Sequence, residues 1–516
     1  MASPWLLLAI LLLLPLFFIF LRKKQNSQTK TKNHPPGPPP LPFIGNLHQL
    51  GVLPHQSLCQ LSKKYGPVML IKLGRVPTVI ISSSEAAKDL FKNHDLSSCS
   101  RPSLTGTGKL SYNYLDIAFT PYGDYWREMR KICVLELFSA KRVQSFKSVR
   151  EEEVSLLIES ISSSISSSGS CFSPVDMSEK LLILTCNITC RVAFGTSFQE
   201  SGLGQERFQE VIHEGLAMLG SFCFADLFPY YLGWIGDKIS GLHGRLERNF
   251  QEFDGFYQKI IDDHIQKDGR KDQEQEDIID VLLGLEKSQR ENFGSAFQFS
   301  KDHIKAILMN IFLAGVDTGA ITLVWAMAEL IRNPRVMKKA QQEIRTSINK
   351  DKTIVSETDI ENLEYLKMVV KETLRLHPPG TLLIPRETMS QFSLNGHEIY
   401  PKTRIQVNVW AIGKDPNIWR NPNEFCPERF SANPNFDFKG DSYEMLPFGG
   451  GRRGCPGITM GLATVELALA NLLFCFDWKL GDGMKIEDLN MEEAPGLTVY
   501  KKEPLLLVPI KYQLPA

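Results

Sequence analysis

Three stretches of the chain stand out because nearly every position in them is apolar. The first runs from Trp5 to Leu21 without a charged residue. The second, from Ile304 to Leu330, is apolar on most faces of a helix, which predicts a helix buried across the centre of a fold. Ser300 is a suitable N-cap for this helix, and Pro334 blocks its continuation. The third stretch, from Ile458 to about Leu473, predicts another apolar helix.

The first apolar stretch predicts a membrane anchor. As a helix, Trp5–Leu21 would be about 26 Å long, enough to cross the thin membrane of the endoplasmic reticulum. Basic residues follow at positions 22, 23, 24, 30 and 32, so the positive-inside rule places the rest of the chain in the cytosol. A cleaved signal peptide is the alternative, disfavoured because a short n-region and a small-residue cleavage site are missing.

The segment from Pro35 to Asn46 is rich in proline, which fixes φ and favours stiff, extended backbone. It predicts a rigid hinge, with a proline ligand for an adaptor protein as the alternative. Because no Pro/Gly/Ser linker divides the later chain, one large fold follows. The sequence therefore predicts an anchor at residues 1–21, a basic and proline-rich hinge at 22–50, and a single domain at 51–516.

Shorter patterns predict the remaining elements, and much of the first half has helical spacing. The β-rich runs Val68–Leu73 and Thr78–Ser82 flank Gly74–Pro77 and predict a hairpin. Asn395-Gly396 predicts a second hairpin. Further predictions are strands near Arg404–Val409, Gly496–Val499 and Leu505–Ile510, an extended segment at Pro378–Arg386, a loop at Ser162–Ser170 and an exposed segment at Gln266–Arg290.

An aromatic cluster precedes the central helix and is interrupted by Pro229. It comprises Phe222, Phe224, Leu227, Phe228, Tyr230, Tyr231, Leu232 and Trp234. Core packing explains such a cluster, and so does contact with a bilayer surface beside a membrane anchor. The sequence does not separate these two interpretations.

Composition narrows the possible partners. The chain of 516 residues carries 58 basic and 58 acidic side chains, a balance that gives no bias toward nucleic acid. Its 10 cysteines are too sparse for a disulfide framework, and no Cys-x-x-Cys or His-x-x-x-His pair suggests zinc. Cys186 and Cys190 share a helix face without a nearby histidine, so we expect them to be core residues.

A glycine-rich loop from Pro447 to Gly457 contains a single cysteine, Cys455, immediately before the third apolar helix. A buried thiolate needs its charge stabilised, and the helix start, Arg453 and a metal could each do this. Pro456 has no N–H, so Gly457 and later amides are the available backbone donors. On the loop alone, a metal-ligating thiolate and a buried free cysteine are equally good interpretations.

Inside the predicted central helix lies the motif Ala314-Gly315-Val316-Asp317-Thr318-Gly319. Each interior glycine costs about 1 kcal/mol relative to alanine, and a buried carboxylate costs more unless it is paired. These costs favour a functional role, and a helix kink that accommodates water is one hypothesis. The alternative is close packing between helices through small residues.

The cysteine loop resembles the signature Phe-x-x-Gly-x-Arg-x-Cys-x-Gly of the cytochrome P-450 family. The fixed positions fall on Phe448, Gly451, Arg453, Cys455 and Gly457. The resemblance extends over essentially the whole chain after Pro35 and is closest to plant A-type, microsomal members of the specialised-metabolism clan. It implies a fold that is mainly α with small β-sheets, and haem held between the long central helix and the cysteine loop.

The resemblance implies haem b as cofactor, with the Cys455 thiolate as the iron ligand. The central-helix motif is similar to the family's oxygen-activation motif, with Asp317 and Thr318 as catalytic residues. Gly319 replaces the second hydroxyl residue that is usual there. The residues implied to bind the haem are Trp126, Arg130, Arg386, Phe448, Arg453 and Gly457.

Two further groups of residues follow from the resemblance. Glu372, Arg375 and Arg429 match the Glu-x-x-Arg and Pro-Glu-Arg-Phe motifs, and we expect them to form a buried ion-pair network with a structural role. The implied substrate contacts lie in Leu104–Ala118 and at Leu313, Thr381, Leu382, Leu383, Ile384 and Leu497. These side chains are mostly small or apolar, so the implied substrate is lipophilic.

The implied activity is monooxygenation of a small lipophilic plant metabolite, such as a terpenoid, a phenolic or an amino-acid derivative. Electrons would come from an NADPH-dependent reductase that docks near the cysteine through Arg127, Lys131 and Arg452. One alternative is a haem-thiolate dehydratase or isomerase acting on an aldoxime or hydroperoxide. Another, outside enzymes, is a membrane haem protein that only carries electrons or senses a gas.

Overall fold

The computed structural model describes residues 33–167, 174–197, 205–220, 223–228, 231–267, 276–291, 299–431, 438, 442–481 and 483–513. The predicted membrane anchor at residues 1–21 and the first part of the predicted hinge lie outside these residues. Two of the described helices, Lys301–Arg332 and Ile458–Cys475, are long and apolar enough to cross a membrane, and both are largely buried inside the protein.

The protein is mainly helical, as expected. In chain order the helices are α1 (Pro54–Tyr65), α2 (Ser84–Asn93), α3 (Asp95–Ser98), α4 (Thr105–Leu110), α5 (Asp124–Ile132), α6 (Ala140–Ser145), α7 (Lys147–Ser167), α8 (Met177–Phe194), α9 (Gln205–Gly220), α10 (Phe224–Leu227), α11 (Tyr231–Ile239), α12 (Leu242–Lys267), α13 (Ile278–Glu291), α14 (Lys301–Arg332), α15 (Pro334–Ser347), α16 (Glu357–Ile360), α17 (Glu364–Leu376), α18 (Val409–Ile412) and α19 (Ile458–Cys475).

The strands are short and form small sheets. They are β1 (Val68–Leu73), β2 (Val76–Ile81), β3 (Val175–Asp176), β4 (Arg386–Glu387), β5 (Phe392–Leu394), β6 (His397–Ile399), β7 (Arg404–Val407), β8 (Phe476–Lys479), β9 (Glu493–Ala494), β10 (Tyr500–Lys501) and β11 (Leu506–Lys511). The largest sheet has the order β1-β2-β7-β4, in which β2 and β7 are parallel and the other pairs are antiparallel. The others have the orders β3-β11-β8, β5-β6 and β10-β9.

Helix α14 crosses the centre of the fold, and its bounds confirm the prediction. It begins after Ser300 and ends at Asn333, where Pro334 starts the next helix. Ser300 and His303 form a capping box at its N-terminus, in which His303 Nδ1 accepts from the Ser300 amide at 3.1 Å. The helix packs against α8 on one side and α19 on another, so both neighbours are positioned by the same buried apolar surface.

Both predicted hairpins form. Strands β1 and β2 pair with Val68 opposite Ile81, and the connecting turn is the dipeptide Gly74-Arg75, shorter than expected. At the second hairpin, Asn395 and Gly396 have φ values of 49° and 80°, the left-handed backbone that a tight two-residue turn needs.

Three local predictions were wrong. The serine-rich segment continues α7 to Ser167, and the hydroxyls of Ser163 and Ser164 are satisfied within the helix, since each donates to the carbonyl four residues earlier at 2.9 Å. The segment predicted as exposed contains much of α13, where Ile278 is fully buried. Residues 496–498 form a bend, in which a Cβ on Gly496 would lie 2.5 Å from the Thr498 carbonyl oxygen.

The end of the proline-rich segment is docked on the sheet. The Leu70 amide donates to the Pro36 carbonyl at 2.8 Å, and the Lys72 amide donates to Asn46 Oδ1 at 2.8 Å. From Pro36 to Asn46, the predicted hinge is therefore held against β1 by hydrogen bonds at both ends.

The aromatic cluster and the proline-rich segment meet at the turn after β1. The Gly74 amide donates to the Ile44 carbonyl at 3.2 Å, and the Arg75 amide donates to the Leu227 carbonyl at 3.0 Å. Large apolar side chains remain exposed on both segments, among them Phe43 at 67% and Trp234 at 58%. Leu227 itself is buried, so core packing explains only part of the described cluster; Phe222 and Tyr230 lie outside the described residues.

Candidate active site between the cysteine loop and the central helix

The cysteine loop is shaped by glycines at positions that a side chain would disturb. Gly449 and Gly451 have φ values of 71° and 63°, which favour glycine. A Cβ on Gly451 would lie 2.3 Å from Asp95 Oδ1, so the loop can approach α3 only without a side chain there. The Cys455 amide then donates to the Phe448 carbonyl at 2.9 Å, which fixes the cysteine just before α19.

Protein atoms surround Cys455, yet its surface remains accessible from one side. Burial raises the pKa of the Cys455 thiol, while an N–H from Gly457 and the charge of Arg130 act in the opposite direction. Gly457 is thus the backbone donor that the sequence indicated. Arg130 also donates from Nη2 to the Gly454 carbonyl, which ties α5 to the loop.

The carboxylate of Asp95 accepts hydrogen bonds from two arginines, Arg386 and Arg452, beside the cysteine loop. Its Oδ1 accepts from Arg386 Nη1 at 2.7 Å, and its Oδ2 accepts from the Arg452 amide at 2.9 Å. Arg386 also donates to the Gly450 carbonyl at 2.8 Å. Since Asp95 and Arg386 are both buried, the ion pair joins α3, the start of β4 and the glycine-rich loop in one arrangement.

Arg453 and Trp126 lie against each other, with the guanidinium 4.1 Å from the centre of the indole ring. Both donate to the carbonyl of Ile117, Trp126 Nε1 at 2.9 Å and Arg453 Nη1 at 3.2 Å. Arg101 donates to the next carbonyl, that of Ala118, at 2.9 Å. Trp126 and Arg130 both lie on α5. The indole N–H of Trp126 donates to the same carbonyl as Arg453, and Arg130 donates to a different one, that of Gly454.

These arginines form a cationic group in which Arg101, Arg130 and Arg453 donate to backbone carbonyls, whereas Arg386 is paired with the carboxylate of Asp95. Burial and the charges of Arg453 and Arg386 lower the pKa of Arg101. Burial, Arg386 and Arg130 lower the pKa of Arg453 to about 10. Mutual repulsion of this kind favours binding of an anionic ligand at the site. Sequence reasoning missed Arg101, for which no motif in the chain gave a signal.

Asn310 on α14 holds the segment to which these arginines donate. Its Oδ1 accepts from the amides of Ile117 and Ala118 at 3.1 Å, and its Nδ2 donates to Asp116 Oδ2 at 2.9 Å. Burial raises the pKa of Asp116. Asn310 was not predicted either, although a polar residue in an otherwise apolar helix is a signal that could have identified it.

Asp317 is buried on α14, and its Oδ2 accepts a hydrogen bond from the Thr498 hydroxyl. Burial raises the pKa of Asp317, and the bond from Thr498 lowers it. The hydroxyl of Thr318 donates within the helix to the Ala314 carbonyl at 2.8 Å. The helix is continuous through this motif.

The two glycines of the motif are sites of close helix packing, which was the alternative interpretation. A Cβ on Gly315 would lie 2.9 Å from Thr189 Oγ1, and one on Gly319 would lie 3.1 Å from Thr185 Cγ2. Both threonines belong to α8. Close packing therefore accounts for the glycines, and Asp317 lies between them with a different partner.

Behind the loop, the buried carboxylate of Glu372 lies between two arginines. It accepts from Arg375 Nε and Nη2 at 2.8 Å, and from Arg429 Nε at 2.9 Å. Arg375 also donates to the carbonyls of Gly413 and Pro422 at 2.6 and 2.7 Å. The structure brings together all three residues that the motifs singled out.

Most of the expected substrate residues line one cavity. Its volume is roughly 130 Å³, and it lies where the segment before β4 meets the bend between β9 and β10. Of the described residues that line it, the predicted ones are Leu104, Thr107, Thr381, Leu382, Leu383, Ile384 and Leu497. Leu313 is buried in α14 and is not among them.

Comparison with known proteins decides the family. The family model described as Cytochrome P450 matches residues 35–508. The chain belongs to the cytochrome P450 family. It is 56% identical over 480 residues to cytochrome P450 71B10 of Arabidopsis thaliana, covering 92% of this chain and 93% of that one. It is also 56% identical over 478 residues to cytochrome P450 71B34 of the same plant, with 93% of each chain covered.

A solved structure of a zebrafish cytochrome P450 with abiraterone has the same fold. Its TM-score is 0.73 at 26% identity, over 90% of this chain and 100% of that one. The protein is therefore a plant-type cytochrome P450 monooxygenase with the family's haem-thiolate cofactor. The residues present fit that group: the site offers one accessible thiol, and the cationic group of Arg101, Arg130, Arg386 and Arg453 suits carboxylates.

Proposed function

We propose that this P450 inserts one oxygen atom from O2 into a small lipophilic plant specialised metabolite, using electrons from an NADPH-dependent reductase. The observation that supports it best is the buried acid Asp317 between two packed glycines of α14. Its hydrogen-bond partner Thr498 follows Leu497, which lines the cavity with the other expected substrate residues. A buried carboxylate costs folding free energy, and proton delivery is the role that accounts for this cost.

Cys455 would bind the haem iron, and Gly457 and Arg130 would favour its thiolate form. Haem b would supply the oxygen chemistry, and the Cys455 thiolate would donate electron density to its iron. Arg386, Arg453 and Arg130, with Arg101 beside them, would hold the propionates. Trp126 and Phe448 would support the site by packing. These side chains come from α5, β4, the cysteine loop and the segment before α4, so the assembled fold is needed to retain the cofactor.

Asp317 and Thr318 would move protons. The raised pKa of Asp317 keeps the carboxyl able to donate a proton at higher pH than an exposed aspartate, and Thr318 offers a hydroxyl one residue further along the helix. Thr498 would hold the carboxylate once the proton has left. Glu372, Arg375 and Arg429 would brace the fold behind the cysteine loop and take no part in the reaction.

A separate reductase is proposed because the chain itself has no described dinucleotide-binding unit. Gly449, Gly451 and Gly454 have the spacing Gly-x-Gly-x-x-Gly, but they lie around the short 3-10 turn Gly451–Arg453, which no described strand immediately precedes. The exposed cations Arg127 and Lys131 lie on α5, which contacts the cysteine loop through Arg130. Together with Arg452 they would form the docking patch.

The exposed apolar side chains near residue 44 and on α10 and α11 would rest on the endoplasmic reticulum membrane, beside a single anchoring span at residues 1–21. The test uses the full chain in nanodiscs that contain brominated lipids. We expect fluorescence quenching that falls when Trp234 is replaced by phenylalanine. Equal quenching in the Trp234→Phe variant would refute the contact.

Turnover separates the proposed reaction from its alternatives. The purified P450 is incubated with reductase, NADPH and O2 against a panel of plant terpenoids, phenolics, amino-acid derivatives and aldoximes. A product that carries label from ¹⁸O2 and requires NADPH supports monooxygenation. A product formed from an aldoxime or hydroperoxide without NADPH would instead establish a dehydratase or isomerase.

A further inference from the structure

Helix α8 supplies a hydroxyl to the backbone of the Asp317 motif. The Oγ1 atom of Thr185 lies 2.7 Å from the Val316 carbonyl oxygen, and Thr185 is almost fully buried. The same hydroxyl is 3.1 Å from the carbonyls of Leu181 and Leu182 in its own helix. One hydroxyl donates one proton, and the shortest contact is the one that crosses to α14.

Thr185 contacts a carbonyl that a hydroxyl at position 319 could also reach. In a helix, a serine or threonine hydroxyl reaches the carbonyl three or four residues earlier. A hydroxyl at position 319 would therefore reach the carbonyl of residue 315 or of Val316. Thr185 donates to one of these two carbonyls from the neighbouring helix, and its methyl group occupies the space next to Gly319.

We propose that Thr185 is a positioning residue that replaces the hydroxyl missing at Gly319. Its hydrogen bond fixes the carbonyl of Val316, and with it the turn of α14 that carries Asp317 and Thr318. Gly319 and Thr185 are complementary: the glycine leaves space for the threonine side chain, and the threonine supplies the hydroxyl that position 319 lacks. The expected effect on turnover rests on the proposed function, whereas the expected effect on the helix can be measured without it.

The test compares Thr185→Val, which removes the hydroxyl at nearly constant volume, with Thr185→Ser, which keeps it. Thr189→Val is the matched control, because Thr189 packs against Gly315 one turn away on the same helix. Hydrogen–deuterium exchange of the peptide covering residues 314–320 should rise roughly three- to tenfold in Thr185→Val, as expected for the loss of one hydrogen bond. It should stay at the wild-type rate in Thr185→Ser and Thr189→Val.

Coupling of NADPH oxidation to product gives the functional readout. Thr185→Val should release several times more hydrogen peroxide per NADPH at an unchanged substrate KM, with the 450 nm reduced carbon monoxide band intact. Thr185→Ser should restore coupling. Exchange at the wild-type rate in Thr185→Val, or an equal rise in Thr185→Ser or Thr189→Val, would overturn the proposal whether or not a substrate is found.

A transfer experiment tests the complementarity directly. Thr185→Ala alone should loosen the motif, and adding Gly319→Ser should place a hydroxyl within reach of the same carbonyl and bring exchange back toward the wild-type rate. If the double variant exchanges as fast as Thr185→Ala or faster, the two positions are not interchangeable sources of the hydroxyl, and the proposal fails.

Discussion

The hydroxyl of Thr498 donates to the buried carboxylate of Asp317, although the two residues are 181 positions apart. Thr498 lies in the bend beside Leu497, which lines the cavity with the expected substrate residues. The position of the bend is therefore linked to the position of the acid. A substrate that displaces the bend would also change the hydrogen bonding of Asp317.

The burial of Asp317 makes the stability of the protein depend on pH in a defined direction. Burial raises the pKa of Asp317 above 3.8, so the folded state keeps this proton to higher pH than the unfolded state. The free energy of unfolding should therefore fall as pH rises from 3.8 through the raised pKa. In Asp317→Asn this contribution should vanish, which urea unfolding of the holoenzyme at pH values on both sides of that window would measure.

Replacing Thr498 should extend the same dependence to higher pH. Thr498→Val removes the donor that stabilises the carboxylate, so the pKa of Asp317 should rise further, and about 1–3 kcal/mol of unfolding free energy should be lost above it. Thr498→Ser keeps the hydroxyl and serves as the control. Identical pH profiles for Thr498→Val and the wild type would show that the bond does not form in solution.

Cys455 is predicted to be the iron ligand. In Cys455→Ala the band of the reduced carbon monoxide complex that marks a thiolate ligand should be absent, because no other described cysteine lies in the loop. Cys59→Ser, at a half-buried position in α1, is the control and should keep the band. A retained band in Cys455→Ala would overturn the assignment.

Two glycines near the cysteine should respond oppositely to alanine. Gly451→Ala should lower the unfolding free energy by roughly 1–3 kcal/mol, because φ is 63° and the new Cβ meets Asp95. Gly461 lies inside α19 with nothing within 4 Å of its Cβ direction, so Gly461→Ala should be stabilising by about 0.5–1 kcal/mol. Thermal unfolding of the two holoenzymes compares them, and equal melting temperatures would contradict the expectation.

Glu372 should matter far more than the neighbouring acid of the same motif region. Glu372→Ala leaves Arg375, which is fully buried, without its carboxylate and should cost about 3–5 kcal/mol. Glu428→Ala removes a partly exposed partner of Arg335 and Lys339 and should cost about 1 kcal/mol or less. Denaturant unfolding measures both, and similar losses would argue against the bracing role.

The docking patch predicts a kinetic effect without a structural one. Lys131→Glu should slow reduction by the reductase several-fold, most strongly at low ionic strength, because it reverses a charge beside the cysteine loop. Lys338→Glu, an exposed charge reversal on α15, should leave the rate unchanged. Stopped-flow reduction under carbon monoxide measures this, and an unaltered rate in Lys131→Glu would place docking elsewhere.

The sequence by itself determined the elements whose causes are local. The apolar run with Ser300 before it and Pro334 after it specifies α14, and Asn395-Gly396 specifies a turn, because caps, proline and positive φ act within a few residues. The residues around Cys455 resemble the signature of a known family, and that resemblance implied the fold and the cofactor. Even local patterns failed where serines bonded within a helix, as in α7.

The tertiary structure decided which side chains meet. Thr498 reaches Asp317, Thr185 reaches Val316, and Asp95 reaches Arg386 across long stretches of chain that no local pattern constrains. Such contacts depend on how helices and loops pack, where a missing Cβ at Gly319 or Gly451 decides whether two elements can approach. The chemistry available to this P450 could thus be predicted from its residues, but the arrangement that controls it could not.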